Sequence, residues 1–318
     1  MTTSYESSSL CWQSLLSRRP SDRGHIGRFA PTPSGALHLG SFYIATVCAL
    51  RAHQRCGHWL IRIDDLDRER CLSLASTRIC QDLEVVFQDI CPPSDMVYQQ
   101  ARQSRYQAAL KYLGEQGLVY RCQCSRKQIR SWTESVRHQC REQIWSVAQT
   151  TTDACLRLKS PEIPTLNQHD HAWAQLENDI VLLRRDQYYS YHLACAVDDG
   201  LDGITEIIRG ADLIPAQAPQ CNLLSTLGFK APPRYCHLQL LTDQYGRKLG
   251  KQTKAPPALS ANSTALDLLN TVFTQLSWPM DFEAYQDLKE LWAFGLHHFE
   301  LERQQVSPIP HPKSHYSC

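Results

Sequence analysis

The sequence predicts an α/β fold: a parallel sheet covered by helices, carrying an insertion and ending in a short helical C-terminal part. Two observations predict it. Strand-length apolar runs and helical periodicities alternate through the first 124 residues and return after about residue 180. Between 125 and 180 the pattern loosens, with Pro161 and Pro164 breaking it. A chain of 318 residues with 42% hydrophobic content can bury a core of this kind, as one large domain with an insertion or as two domains.

Taken in order, "HIGRF" at 25–29 reads as a short strand. A loop rich in Pro and Gly follows, and then a helix from Ser41 to Arg55, with Ile44, Val47, Cys48 and Leu50 at helical spacing and Gly57 as its stop. "HWLIRIDDLD" reads as a buried strand with an acidic end. "CLSLASTRICQDLEVVF" and "SRYQAALKYLGEQG" read as helices, and "LVYRCQC" as a third strand of the alternation. After the loose stretch come "YYSYHLACAVDDG", "GITEIIRG" and a helix over Asp212–Leu227. "RYCHLQLLTDQYGRKLGKQ" reads as a strand, a polar turn and a lysine-bearing loop, and 264–303 as two helices.

A net charge of +1 removes any global basic signature, so contact with nucleic acid has to come from local patches. One such patch lies between 121 and 141, where Arg121, Arg126, Lys127, Arg130, Arg137 and Arg141 are opposed only by Glu134. The alternative for that patch is a solvated helix face. No apolar run approaches the ~20 residues a bilayer span needs. The polar start, with Glu6 and Asp22, lacks the zones of a secretory signal, so a disulfide framework for the 14 cysteines is not expected. Cys48, Cys195 and Cys236 sit in apolar patterns and read as small buried hydrophobes.

The loop "GRFAPTPSGALHLGS" at 27–41 has the makings of a phosphate site: turn residues between a strand and a helix, with His38 and Ser41 as added donors. The alternative is a tight turn with no ligand. Late in the chain, "GRKLGKQ" at 246–252 places Lys248 and Lys251 three apart, a spacing that can clamp a polyphosphate or simply sit in solvent.

Together these two stretches resemble the paired signatures of class I aminoacyl-tRNA synthetases. With "RIDDLD", "YHLACAVDDG" and "TEIIRGADL", they are similar to the glutamyl branch of that class, over positions 28–252. The resemblance implies a Rossmann-like catalytic domain with a zinc-type insertion. It implies boundaries at 1–22 (flexible extension), 23–120 (first catalytic half), 121–182 (insertion with zinc site and tRNA contact), 183–255 (second half with the lysine loop), 256–303 (helical part) and 304–318 (flexible tail). Residues 253–318 are too few for the large helical anticodon-binding part of a full glutamyl-tRNA synthetase. With "RGADL" and K-x-x-K-Q, this makes the chain resemble the truncated paralogues that attach glutamate to queuosine in the anticodon of tRNA(Asp). The rival readings are a cut-down synthetase charging a tRNA 3′ end and a non-catalytic tRNA-binding relic.

The resemblance also implies roles. His38, Lys248 and Lys251 are catalytic, and with Gly40 and Ser41 they bind ATP, which brings Mg²⁺ with it. Arg28, Ala30, Ser34, Asp64, Tyr191 and Arg209 surround L-glutamate, the arginines as forks for carboxylate. Cys122, Cys124 and Cys140 have the spacing of three zinc ligands, with His138 or a water as the fourth; the alternative is three free thiols. The chain departs from the family at four positions: Asp64 stands for Glu, Gly250 for Ser, Val136 for the Tyr that ligates zinc, and Ser41 for the second His of the wider class. The implied location is the cytoplasm, with no membrane partner.

Overall fold

Apolar runs bounded by turns build the central sheet. In the computed structural model, strands β1 (Ile26–Phe29), β2 (His58–Ile63) and β3 (Met96–Tyr98) are parallel, in the order β1-β2-β3. Arg28 stands opposite Leu60, and Ile61 opposite Met96. The structure describes residues 11–17, 24–67, 69, 71–72, 74–130, 139–146, 153–159, 179–229, 233–242, 256–260, 263–276, 278 and 285–304. Strands β4 (Val119–Cys122), β5 (Cys155–Leu158) and β6 (Val181–Leu183) form a second, antiparallel sheet in that order. A parallel pair, β7 (Glu206–Gly210) and β8 (Arg234–Leu238), completes the strands among the described residues. β7 lies against β1: the Thr205 amide donates to the Ile26 carbonyl (2.9 Å), and Arg28 Nη1 to the Ile208 carbonyl (3.4 Å). Both contacts advance together along the chain, so β1, β2, β3, β7 and β8 all run one way.

The helices are α1 (Trp12–Ser17), α2 (Leu39–Gln54), α3 (Ala75–Phe87), α4 (Gln103–Glu115), α5 (Arg126–Arg130), α6 (Tyr191–Leu201), α7 (Gln217–Thr226), α8 (Ala265–Gln275), α9 (Leu288–His298) and α10 (Leu301–Gln304). One core joins β1 and β2 to α2, α3, α8 and α9 through Phe42, Leu50, Ile61, Ile79, Phe87, Phe273 and Trp292. A second joins α1, α4, α6, α7 and the antiparallel sheet through Trp12, Tyr106, Leu113, Leu156, Leu193 and Leu223.

Three elements differ from the sequence reading. β4, read as the third strand of the parallel alternation, pairs antiparallel with β5, Val119 opposite Leu158 and Cys122 opposite Cys155. The parallel sheet takes β3 instead, three residues behind a Pro-Pro turn and too short to show a period. Within the expected loose extension 1–22, Trp12–Ser17 is helical and Trp12 is buried. Its indole packs on Phe229 and Tyr112 and donates to the Leu227 carbonyl at 3.0 Å. One large aromatic with a satisfied N–H is enough to dock a short polar segment. The helix read over Asp212–Leu227 splits into a 3₁₀ stretch, Ala211–Ala216, containing Pro215, and then α7.

Candidate active site

The C-terminal ends of parallel strands, where a loop enters a helix, are where α/β sheets bind ligands. Here Ala30 follows β1, Asp64 follows β2 and Arg209 lies one residue before the end of β7. The 30–38 loop is tied down across this edge: the Asp64 amide donates to the Pro31 carbonyl and the Leu72 amide to the Pro33 carbonyl, both at 3.0 Å. Gly35 adopts φ +140°, which a side chain would resist. Ser34 turns back on the Thr32 carbonyl (2.9 Å). His38 caps α2 in an extended conformation, and its Nε2 lies 3.3 Å from Ser41 Oγ; Gly40 and Ser41 form the first turn. The positive end of α2 thus faces the strand ends.

Three guanidinium groups are buried here, those of Arg28, Arg62 and Arg209. Arg28 on β1 donates through Nε to Asp199 Oδ1 (3.3 Å). Arg209 on β7, only 3% exposed, donates through Nε to His237 Nε2 (3.1 Å) and through Nη1 to Gln220 Oε1 (2.7 Å), and lies over the Tyr235 ring. Its Nη2 is buried with no hydrogen-bond partner among the described residues. His237 accepts through Nε2 and is therefore neutral; burial, with Arg209 beside it, lowers it to about 4. His192 is lowered to about 4 by burial and by the same arginine.

Asp64 is not an isolated acid. Arg62 donates Nε to its Oδ1 at 2.7 Å, while Nη2 stands 3.5 Å from Oδ2; Arg62 Nη1 also donates to Asp199 at 2.6 Å. Burial alone would raise Asp199, but Arg62 and Arg28 hold it below the usual carboxylate range. Asp64 is pushed up by burial in spite of Arg62. Cys195, read as a small buried hydrophobe, accepts from Arg62 Nη2 at 3.2 Å and lies 3.8 Å from Asp64 Oδ2, at the wall of the site. Tyr191 opens α6 at the mouth, 40% exposed, within electrostatic reach of Arg209, Asp64 and Arg28. The structure therefore brings Arg28, Asp64, Tyr191 and Arg209 together and adds Arg62, Cys195, Asp199, His192, Gln220 and His237. Lys248, Lys251 and His138 lie outside the described residues.

Asp199 and its neighbour Asp198 face opposite ways. Asp198 is buried with Tyr106 (2.7 Å), Gln99 (3.1 Å) and Arg102 (3.2 Å), and burial pushes it up to about 6 against Arg62 and Arg102. At and beyond the end of β4, the sulfurs of Cys122, Cys124 and Cys140 lie within 4.8 Å of one another, Cys124 and Cys140 at 3.6 Å. That donor set suits a thiophilic ion such as Zn²⁺. Hydrogen bonding from the Cys155 thiol lowers Cys122 to about 5. Of the basic patch, Arg121 is paired with Asp153 and Arg141 with the buried Asp179, which also accepts from Tyr120 at 2.8 Å. Those two arginines hold the insertion together and do not present an open basic face.

Residues 26–258 match the family described as tRNA synthetases class I (E and Q), catalytic domain. A glutamyl-Q tRNA(Asp) synthetase from Synechococcus sp. is 40% identical over 298 residues, covering 89% of this chain and 97% of that protein. One from Salmonella typhimurium is 33% identical over 300 residues, covering 92% and 97%. Among solved structures, the glutamate-tRNA synthetase from Elizabethkingia anophelis aligns with a TM-score of 0.63 at 22% identity, over 88% of this chain and 66% of that one. The last likeness is one of fold; the first three place the chain in a family, and it belongs to the class I tRNA synthetases (E and Q).

Proposed function

We propose that this enzyme activates glutamate with ATP, without needing tRNA, and transfers it to queuosine in the anticodon of tRNA(Asp). What carries the reading is the pair of buried guanidiniums, Arg28 and Arg209, beside Asp64 and Tyr191. They sit in a chain that matches proteins named for this reaction over as much as 97% of their length. The open Nη2 of Arg209 and the Arg28 fork hold the two carboxylates of glutamate, with Ala30 and Ser34 lining the approach. Asp64 Oδ2, left long by Arg62, and the Tyr191 hydroxyl meet the ammonium.

The α-carboxylate oxygen then attacks the α-phosphorus of ATP, and the bond to pyrophosphate breaks. His38, Gly40 and Ser41 at the start of α2 bind the phosphates, and Lys248 and Lys251 stabilise the charge that gathers on them. Mg²⁺ enters with ATP. A queuosine hydroxyl next attacks the activated carbonyl and AMP leaves. Arg126, Lys127, Arg130 and Arg137 of the insertion contact the RNA backbone. Cys122, Cys124 and Cys140 hold a structural zinc, which shapes the insertion and takes no part in the chemistry. The chain acts in the cytoplasm; among the described residues no helix is long and apolar enough to cross a membrane.

The test is glutamate-dependent pyrophosphate exchange without tRNA, followed by labelling of tRNA(Asp) with and without queuosine. Exchange without tRNA and label only on the queuosine-bearing tRNA are expected. Equal labelling of both, or label lost on oxidising the 3′-terminal ribose alone, would restore an ordinary synthetase.

A further inference from the structure

We propose that Cys155 is the fourth ligand of the zinc ion held by Cys122, Cys124 and Cys140, an inference that rests on the zinc reading of that cluster. A zinc ion bonded to four thiolates at ~2.3 Å keeps its ligand sulfurs near ~3.8 Å apart. The three sulfurs here, within 4.8 Å of one another and 3.6 Å apart for Cys124 and Cys140, form one face of such a tetrahedron. Where the resemblance implies a ligating tyrosine, this chain has Val136, which has no donor atom. A donor has to come from elsewhere in the fold.

Strand pairing supplies one. Cys155 opens β5 directly opposite Cys122, which ends β4. Opposed residues of an antiparallel pair project to the same face, with Cβ atoms roughly 5 Å apart. The Cys155 thiol lies 3.2 Å from the Cys122 carbonyl oxygen. It is thus already turned toward the ligand strand. A step of χ1 between staggered wells moves a cysteine sulfur by roughly 3 Å, the scale needed to bring it from that carbonyl onto the ion. The surroundings suit the extra charge. Four thiolates around Zn²⁺ leave two negative charges, and Arg157, two residues along the same face of β5, reaches Cys122. Its guanidinium is braced by the Asp179 carbonyl at 2.7 Å. Asp179 in turn holds Arg141, the residue after Cys140, so both sides of the cluster hang on one buried acid.

Zinc X-ray absorption on the wild-type protein, purified without chelator, reads the ligand set directly. Four sulfurs at about 2.3 Å are expected; three sulfurs with a nitrogen or oxygen at about 2.0 Å would overturn the assignment of Cys155. Cys155→Ser should lose zinc to a competing chelator at least ~10-fold more readily, the lower end of what loss of an outer partner alone costs. Retention equal to wild type overturns the proposal, as does a loss seen with His138→Ala and not with Cys155→Ser. A wild-type protein without zinc defeats the zinc reading as well. The glutamate-transfer reading stands or falls separately, on pyrophosphate exchange and queuosine labelling.

Discussion

Arg209 has three donor sites, and the fold occupies two: Nε faces His237 and Nη1 faces Gln220. Lysine would keep the charge and lose the fork. Arg209→Lys is expected to raise the KM for glutamate by about 10- to 100-fold, the worth of one or two charged hydrogen bonds, and to lower the melting temperature as well, since His237 and Gln220 lose their donor. An unchanged KM in steady-state exchange assays would remove Arg209 from the pocket. His237 carries a pH prediction. Its folded pKa, about 4, is below the ordinary 6.5, so the unfolded chain takes up a proton that the fold refuses. Stability from this group is full above pH 6.5 and is lost as pH falls toward 4, by on the order of 3 kcal/mol. His237→Gln, neutral at every pH, should flatten that part of a denaturant-midpoint against pH curve; an unaltered curve would refute the assignment. Arg28 and Arg209 were legible in the sequence because each sits inside a recognisable string. Arg62 and Asp199 also sit in such strings, but their pairing, like those of Gln220 and His237 with Arg209, is made by the fold: Arg62 and Asp199 are 137 positions apart, and nothing local announces the contact.

At the scale of elements, α6 does the joining. Ser190 caps it by accepting from the Leu193 amide, Tyr191 opens it at the pocket mouth, and Asp198 and Asp199 reach to opposite sides. It also lies very close to the segment after α7, for a side-chain carbon on Gly200 would meet the Phe229 ring. Gly200→Ala should therefore destabilise the protein by about 1–3 kcal/mol through overpacking, although alanine is the better helix former. A midpoint in urea equal to or above wild type would show that Phe229 moves aside at no cost. The periodicity of the long helices made α2, α3 and α4 readable. Strand β3 and helix α1 were hidden for another reason. Three residues carry no period, and a single buried Trp12 looks like any exposed tryptophan until its acceptor, Leu227, arrives from 215 positions away.

For the molecule as a whole, the C-terminal helices are part of the catalytic core and not an appendage. Leu268, Leu269, Val272 and Phe273 of α8 and Leu291 and Trp292 of α9 are buried in the same cluster as Phe42, Leu50, Ile61 and Phe87. Ending the chain at residue 263 would uncover that face of α2 and α3. The shortened protein is expected to lose its near-ultraviolet circular dichroism and bind a hydrophobic dye, keeping helical signal at most. A cooperative melting transition like that of the full chain would show that the two helices are dispensable. The alternation of strands and helices made the α/β class readable. It could not show that residues 264–304 close the core, because sheet-facing and helix-facing apolar stripes look alike in one dimension.

The shared use of Asp199 has a consequence for selectivity. Arg28, Arg62 and Arg209 bring three positive charges to the pocket; Asp64 and Asp199 bring two negative ones, and His192 and His237 are held neutral. One cation is left over in a place that water reaches poorly. A free glutamate, with one net negative charge, makes the enclosure electroneutral. A glutamine, of nearly the same shape and no net charge, leaves the imbalance standing. On the proposed reading of this pocket, total charge would tell the two amino acids apart before any single hydrogen bond is compared.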